Sequence, residues 1–293
     1  MELNPEKEKM VYEDLPKSLK EVVSKTVDEI SEEEKSEINT IFHKAQGMIE
    51  DILTFDYKYS KSDVERFVPQ LMEEYKRKVK EEAQEQRYNT SLNGSKIISD
   101  MGSKEVVKAE EIYSEDEKRN GLRRAYGNIV GYSEDIINDE NIEANRKYNN
   151  KIEDLILTEL KSEIKRKIDP YSSINAENAF ADISSVLSRR LLGELQQDFE
   201  ENSRMLKRAI SSKVNEVVIE FGNDYEKAIQ KDEQSKDAGE QTKSDEDKKL
   251  DFSNLLATSE EIANKDNERM QRVEEKTLEN GEKMKYVNGF PQL

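Results

Sequence analysis

Residues 152–199 read IEDLILTELKSEIKRKIDPYSSINAENAFADISSVLSRRLLGELQQDF. Ile152, Leu155, Ile156, Leu160, Ile164 and Ile168 recur at spacings of three and four, the period of a helix with one apolar face. Asp169-Pro170 ends that helix, because a proline pushes the residue before it out of the helical region. After the short link Pro170–Ile174, a second stripe opens with Ala176, Ala179, Phe180, Ile183, Val186, Leu187, Leu191, Leu195 and Phe199. It continues through Leu206, Ile210, Val214, Val218 and Phe221. Unbroken, residues 175–221 would span about 70 Å at 1.5 Å per residue. Asn202-Ser203 is the expected bend. Two long helices joined by a proline-containing turn make an antiparallel hairpin. Their spacing drifts from a strict heptad, which predicts a bundle or irregular coiled coil rather than a dimeric zipper.

Toward the N-terminus the same grammar recurs. One helix is expected from near Asp14, with Pro16 just inside its start and Leu15, Leu19, Val22, Val23, Val27 and Ile30 on one face. Ser31-Glu-Glu-Glu34 has the form of a capping box opening the stripe Ile38, Ile41, Phe42, Ala45, Met48, Ile49, Ile52, Leu53. Phe55, Tyr57 and Tyr59 bridge to a third helix. A second box, Ser62–Glu65, precedes Val64, Phe67, Val68, Leu71, Met72, Tyr75 and Val79, with Pro69 marking a kink or a start. Beyond Val79 the apolar face fades, and Asn93-Gly94 reads as a turn.

Residues 95–150 carry mixed signals. Ile97-Ile98 and Val106-Val107 flank Met101-Gly102 as a small hairpin would, and Ser114–Glu117 forms a third capping box. Gly121, Gly127 and Gly131 then imply close helix packing or a broken helix. Residues 230–249, QKDEQSKDAGEQTKSDEDKK, hold one apolar residue and read as a solvated acidic linker. Past it, Phe252, Leu255, Leu256, Ile262 and Ala263, then Met270, Val273 and Leu278, suggest a small C-terminal helix. Asn288-Gly289 is a turn dipeptide followed by only four residues, too few for a full hairpin. The expected fold is therefore all-α: an elongated helical bundle around a long antiparallel hairpin, with an acidic linker and a helical C-terminal appendage. Its parts are an N-terminal helical region (1–92), a glycine-punctuated segment and hairpin (93–229), the linker (230–249) and the C-terminal piece (250–293).

The inventory of side chains narrows function. The 293 residues include no Cys, no Trp and a single His, and the net charge is −18. Without cysteine there is no disulfide, no structural zinc or iron–sulfur thiolate and no thiol nucleophile. A Ser-His-Asp triad would have to be built on His43, which lies off the main apolar stripe and within no HExxH or ExxH pattern. Hydrophobic residues make up 34% and charged residues 38%, which suits thin helical layers better than a thick α/β core. The acidic excess opposes nonspecific contact with nucleic acid or anionic lipid and favours solubility or a basic partner. No stretch approaches 18 apolar residues, so no membrane span is expected, and the acidic N-terminus lacks the apolar core of a secretory signal. A cytoplasmic or virion-associated location is the expectation.

No phosphate-binding GxxxxGK[ST] or GxGxxG occurs. Glu33-Glu34-x-x-Glu37 and Glu81-Glu82-x-x-Glu85 repeat the first half of the Mg²⁺ motif of all-helical nucleotide pyrophosphatases of the MazG and dimeric dUTPase type. Neither is completed: Leu53 stands where the first requires Asp. Arg189-Arg190 and Lys165-Arg166-Lys167 are the densest cationic spots, each with acidic residues one turn away. No catalytic, cofactor or metal residue is therefore expected. The expected function is non-enzymatic, a structural, assembly or adaptor role through protein partners or self-association, of a kind found in bacterial or phage assembly factors. Phe252, Leu255, Leu256, Tyr286 and Phe290 are the candidate docking residues. The alternatives are an acidic inhibitor capping a basic surface and a Mg²⁺-dependent helical hydrolase.

Overall fold

The computed structural model describes residues 3–112, 114–171, 173–237, 273–277, 283–287 and 290–291. They fall into two units, 1–234 and 235–293. The first unit is an elongated four-helix bundle, all-α, with long helices packed against one another.

Each rod runs further than its apolar stripe alone suggests. The first comprises an α-helix Pro5–Lys9, a π turn Met10–Asp14, an α-helix Leu15–Asp51 and a π turn Ile52–Asp56. It starts at Pro5 rather than near Asp14, with Asn4 as its cap: Lys7 N donates to Asn4 Oδ1 at 2.8 Å. The second rod is one α-helix, Lys61–Glu110, about 75 Å long at 1.5 Å per residue. The third runs through α-helix Glu115–Glu153, π turn Asp154–Leu160 and α-helix Lys161–Ile168; the fourth through α-helix Ser173–Ser185, π turn Val186–Leu192 and α-helix Gly193–Asp237. Short connections make successive rods antiparallel.

Several expectations are corrected. No hairpin forms at Ile97–Val107, and Asn93-Gly94 is not a turn; both lie inside the second rod, which also passes unbroken through Pro69. The third rod is continuous through its glycines, and the fourth is helical across Asn202-Ser203 and on to Asp237, within the stretch read as linker. Ser31 and Glu34 are interior residues of the first rod rather than a cap. Ser114 does stand at a helix start, without a side-chain capping bond.

The stop at Ile168 is as expected, followed by a 3₁₀ turn Asp169–Tyr171. So is the aromatic bridge after Leu53. Lys58 adopts φ 58°, the left-handed conformation that closes a helix C-terminus, and Tyr59 N donates to Leu53 O at 2.9 Å. Tyr57 Oη donates to Asp182 Oδ2 at 2.6 Å and Tyr59 Oη to Ile168 O at 3.4 Å. The first connection is thereby fastened to the third and fourth rods.

The core is of two kinds. From Ile38 to Ala83 and from Ala144 to Phe199 it is a continuous aliphatic and aromatic cluster. In the other half, the second rod presents small side chains (Ser91, Gly94, Ser95, Ser99, Gly102, Ser103), all buried. A Cβ on Gly102 would lie 2.9 Å from Leu19 Cδ1, and one on Gly94 2.6 Å from Ile137 Cδ1. Ser103 Oγ donates to Val11 O at 2.8 Å, a carbonyl within the first π turn. Gly127 and Gly131 are exposed with nothing near their Cα faces, so close packing is not their role; Gly121 does pack, against Ile112 and Ala109.

In the second unit the described residues form a three-stranded antiparallel sheet in the order β1 (Val273–Thr277), β2 (Lys283–Val287), β3 (Phe290–Pro291). Val273 pairs with Val287, and Val287 with Phe290 across Asn288-Gly289. Val273 is thus in a strand, not the expected helix, and the expected turn dipeptide Asn288-Gly289 lies outside the described residues.

Candidate functional site: a polar layer crossing the bundle

Where the two halves of the core meet, each rod contributes polar side chains to one buried layer. Arg87 of the second rod is 0% exposed and Glu34 of the first is 1%. The backbone phase explains the placement. In the second rod Val79, Ala83, Arg87, Thr90, Gly94, Ile98, Gly102 and Val106 are all buried at spacings of three and four, so the inward face continues past Val79 with a cation and small residues in place of aliphatics.

Every N–H of the guanidinium is engaged. Nε donates to Glu34 Oε1 and Oε2 at 3.0 and 3.1 Å, and Nη2 donates to Glu34 Oε1 and to Phe199 O, the latter at 2.8 Å. Nη1 donates to Ser203 Oγ at 2.9 Å and to Asn141 Oδ1 at 3.5 Å. Asn141 Nδ2 in turn donates to Ser203 O at 2.8 Å, and the Ser203 hydroxyl reaches Asn145 Oδ1 and Phe199 O, each at 2.8 Å. The guanidinium lies 3.8 Å over the Phe199 ring, and Tyr148 stacks on Phe199 at 3.9 Å and 11°. Charge, hydrogen bonds and stacking thus join all four rods at one level.

Burial pushes the Glu34 carboxyl above its usual range, although Arg87 pulls the other way by charge and hydrogen bonding. Asp198, half-buried, is pushed up to about 7 by burial and by the Glu34 and Glu37 carboxylates, against a hydrogen bond from Asn202 and the charge of Arg87. Toward the opposite end, Lys118 Nζ lies 3.1 Å from Glu110 Oε2, and Tyr225 Oη donates to Glu110 Oε1 at 2.8 Å, all buried. Tyr126, edge-on to Phe221, is raised by its burial and by Glu110. Both constellations are internally satisfied.

The residues singled out from sequence do not converge. His43 is exposed, in a shallow groove between the first and fourth rods with Lys44, Met48, Asp51, Arg190 and Glu194. Arg190 lies 3.7 Å from Glu194 and Arg166 pairs with Glu163, the helical neighbours expected. Of the first acidic half-motif, Glu34 turns inward to Arg87 while Glu33 and Glu37 face solvent. In the second, Glu81 pairs with Arg77 and Glu82 accepts from Gln86. Among the described residues no group of three or more His, Asp or Glu is placed to hold a metal ion. Of the candidate docking residues, Phe252, Leu255 and Leu256 lie outside the described residues; Tyr286 is in β2, paired with Pro291, and Phe290 is in β3.

No family model matches the chain, and neither a curated protein nor a solved structure matches it. Arg87 and Glu34 were missed in sequence because a charged residue in a charge-rich helix reads as solvated. The signal available was phase: both stand on the buried stripe of their own rod. Among the described residues no helix is long and apolar enough to cross a membrane.

Proposed function

We propose that this chain is a non-enzymatic structural or adaptor protein that works by presenting the outer faces of a rigid four-helix rod to protein partners or to further copies of itself. The observation that carries the proposal is the use made of Arg87. The most deeply buried cation spends all of its N–H groups on Glu34, Asn141, Ser203 and a backbone carbonyl, so it holds the rods in register and offers nothing to a substrate. Buried polar residues of this kind select one register and partner arrangement among helices. What remains for recognition is surface, with exposed Tyr88, Leu92, Ile142 and Met205 set among charged residues. Such a role suits an assembly factor, as in phages or mobile elements, with residues 252–256 and 286–290 as a second contact that raises effective concentration.

The second proposal, an acidic cap on a basic target, is favoured by the net charge of −18. Light scattering after size exclusion, run on the full chain at low and high salt, separates the two. Presentation of helix faces predicts oligomers or complexes that persist at high salt, because their contacts are apolar at the centre. Association abolished by salt favours the acidic cap. A monomer at every concentration that binds no protein in either salt contradicts both.

A further inference from the structure

We propose that the groove between the first and fourth rods at Ile41–Asp51 seats a second copy of this chain, docked antiparallel about a two-fold axis beside Gly47 and Met48. The inference rests on the reading of the rods as surfaces offered to further copies, and it names the surface. The groove has a volume of about 470 Å³. Buried Ile41 and Ala45 line it together with Met48, which is 38% exposed. Nothing lies within 4 Å of the place that a Gly47 Cβ would take, so another backbone can approach the first rod closely there.

The order of side chains along the first rod decides what fits. Lys44, Met48, Asp51 and Phe55 follow one another at intervals of four, three and four, the seam spacing of paired helices, and all four are exposed. Many exposed charges on this bundle pair one turn away, as Lys61 does with Glu65 and, on the groove's other wall, Arg190 with Glu194. Lys44 and Asp51 have no such recourse. No acid stands three or four residues from Lys44, and no base from Asp51, and neither forms an ion pair among the described residues. They are about 10 Å apart along the rod, too far to pair with each other. Both stand equally far from the midpoint between Gly47 and Met48. A second copy turned about that midpoint sets its Asp51 against Lys44 and its Lys44 against Asp51, with each Met48 over the other's Gly47. A uniformly acidic partner would be repelled at Asp51 and a uniformly basic one at Lys44, whereas the same surface inverted satisfies both. The rods overlap only from Thr40 to Asp56, about 25 Å, which makes the contact a small and reversible one.

Sedimentation velocity of the full chain over a concentration series tests the pairing through charge reversal at two exposed positions. Lys44→Asp and Asp51→Lys are each expected to weaken self-association on the order of tenfold. An equimolar mixture of the two variants is expected to regain it, because two-fold pairing sets both acids of one chain against both bases of the other. The chain has no cysteine, so a single introduced one reports only on its own neighbours. Under mild oxidation Met48→Cys, beside the axis, is expected to give a disulfide-linked dimer, and Tyr88→Cys, exposed on the second rod, is not. A mixture that associates no more tightly than either variant alone would overturn the proposal, as would equal cross-linking of the two cysteine variants. If wild type self-associates in those cases, the wider reading of the rod surfaces stands and only this seam falls. A wild type that stays monomeric at every concentration also overturns the proposal, while the wider reading survives if the chain binds another protein.

Discussion

A glycine on a bundle helix can be a close contact or an accident, and its surroundings decide which. Gly102 lets the second rod approach Leu19, and its hydrogen stands where a Cβ would meet Leu19 Cδ1 at 2.9 Å. Gly127 lies on an exposed face with nothing within reach. Gly127→Ala is therefore expected to raise stability by up to about 1 kcal/mol, the helix-propensity difference. Gly102→Val is expected to lower it by about 1–3 kcal/mol through overpacking. Thermal melts of the two variants check both signs; a stabilised Gly102→Val would show that the rods are not in contact there. Residue identity alone could not make this distinction. Gly121, Gly127 and Gly131 look alike in sequence, and only the position of each relative to Ala109 and Ile112 separates the packed one from the solvated two. The same holds for Glu34. Its neighbours Glu32 and Glu33 are exposed, and one third of a turn of phase makes it half of a buried ion pair.

At the scale of the element, the apolar stripes were legible and the π turns were not, because runs of fours occur both with π turns and, at Thr90–Val106, in a regular α-helix. Ile152, Ile156, Leu160, Ile164 and Ile168 are all buried at intervals of four, as are Val11, Leu15, Leu19, Val23 and Val27. In a 3.6-residue helix each step of four over-rotates the face by about 40°, a drift that a wider turn takes up. π turns at Asp154–Leu160 and Met10–Asp14 lie within those runs, and Val186–Leu192 does the same for Leu187, Leu191, Leu195 and Phe199. A π turn behaves as one inserted residue. Deleting the exposed Ser188 from it is expected to leave the bundle folded, with a melting temperature lowered by a few degrees, roughly that of a 1–2 kcal/mol change. Deleting the exposed Glu200 from the regular helix would rotate everything beyond it by about 100°, carrying Ser203, Leu206 and Ile210 out of the core and unfolding the protein. Circular dichroism of the two deletions decides, and equal tolerance would mean that the wider turn is not absorbing phase. The strands β1–β3 were hidden for a different reason. Val273-Glu-Glu-Lys-Thr277 lacks apolar alternation, and Lys283–Val287, with which it pairs, alternates only from Lys283 to Tyr286, the shortest run that carries a period-2 signal.

Across the whole first unit, the layer of Glu34, Arg87, Asn141 and Ser203 separates an aliphatic half from one in which the second rod presents small residues to aliphatic neighbours. Neither half alone specifies which level of one rod faces which level of the next, since small and aliphatic surfaces slide with little loss. A guanidinium that must find Glu34 on one rod, Asn141 on another and Ser203 and Phe199 O on a third fixes all the levels together, and misregister would strand a buried charge. The antiparallel hairpin of the third and fourth rods was readable from Asp169-Pro170 and the flanking stripes. The layer that sets its register was not, because its members are far apart in sequence and polar. Urea unfolding of the full chain carrying Arg87→Leu, Glu34→Leu or both together tests this role most directly. Each single replacement leaves a buried charge without its partner and is expected to cost about 3–5 kcal/mol, whereas the double replacement should recover most of that loss. Single variants that unfold at the wild-type urea midpoint, or a double variant whose loss equals the sum of the singles, would contradict it.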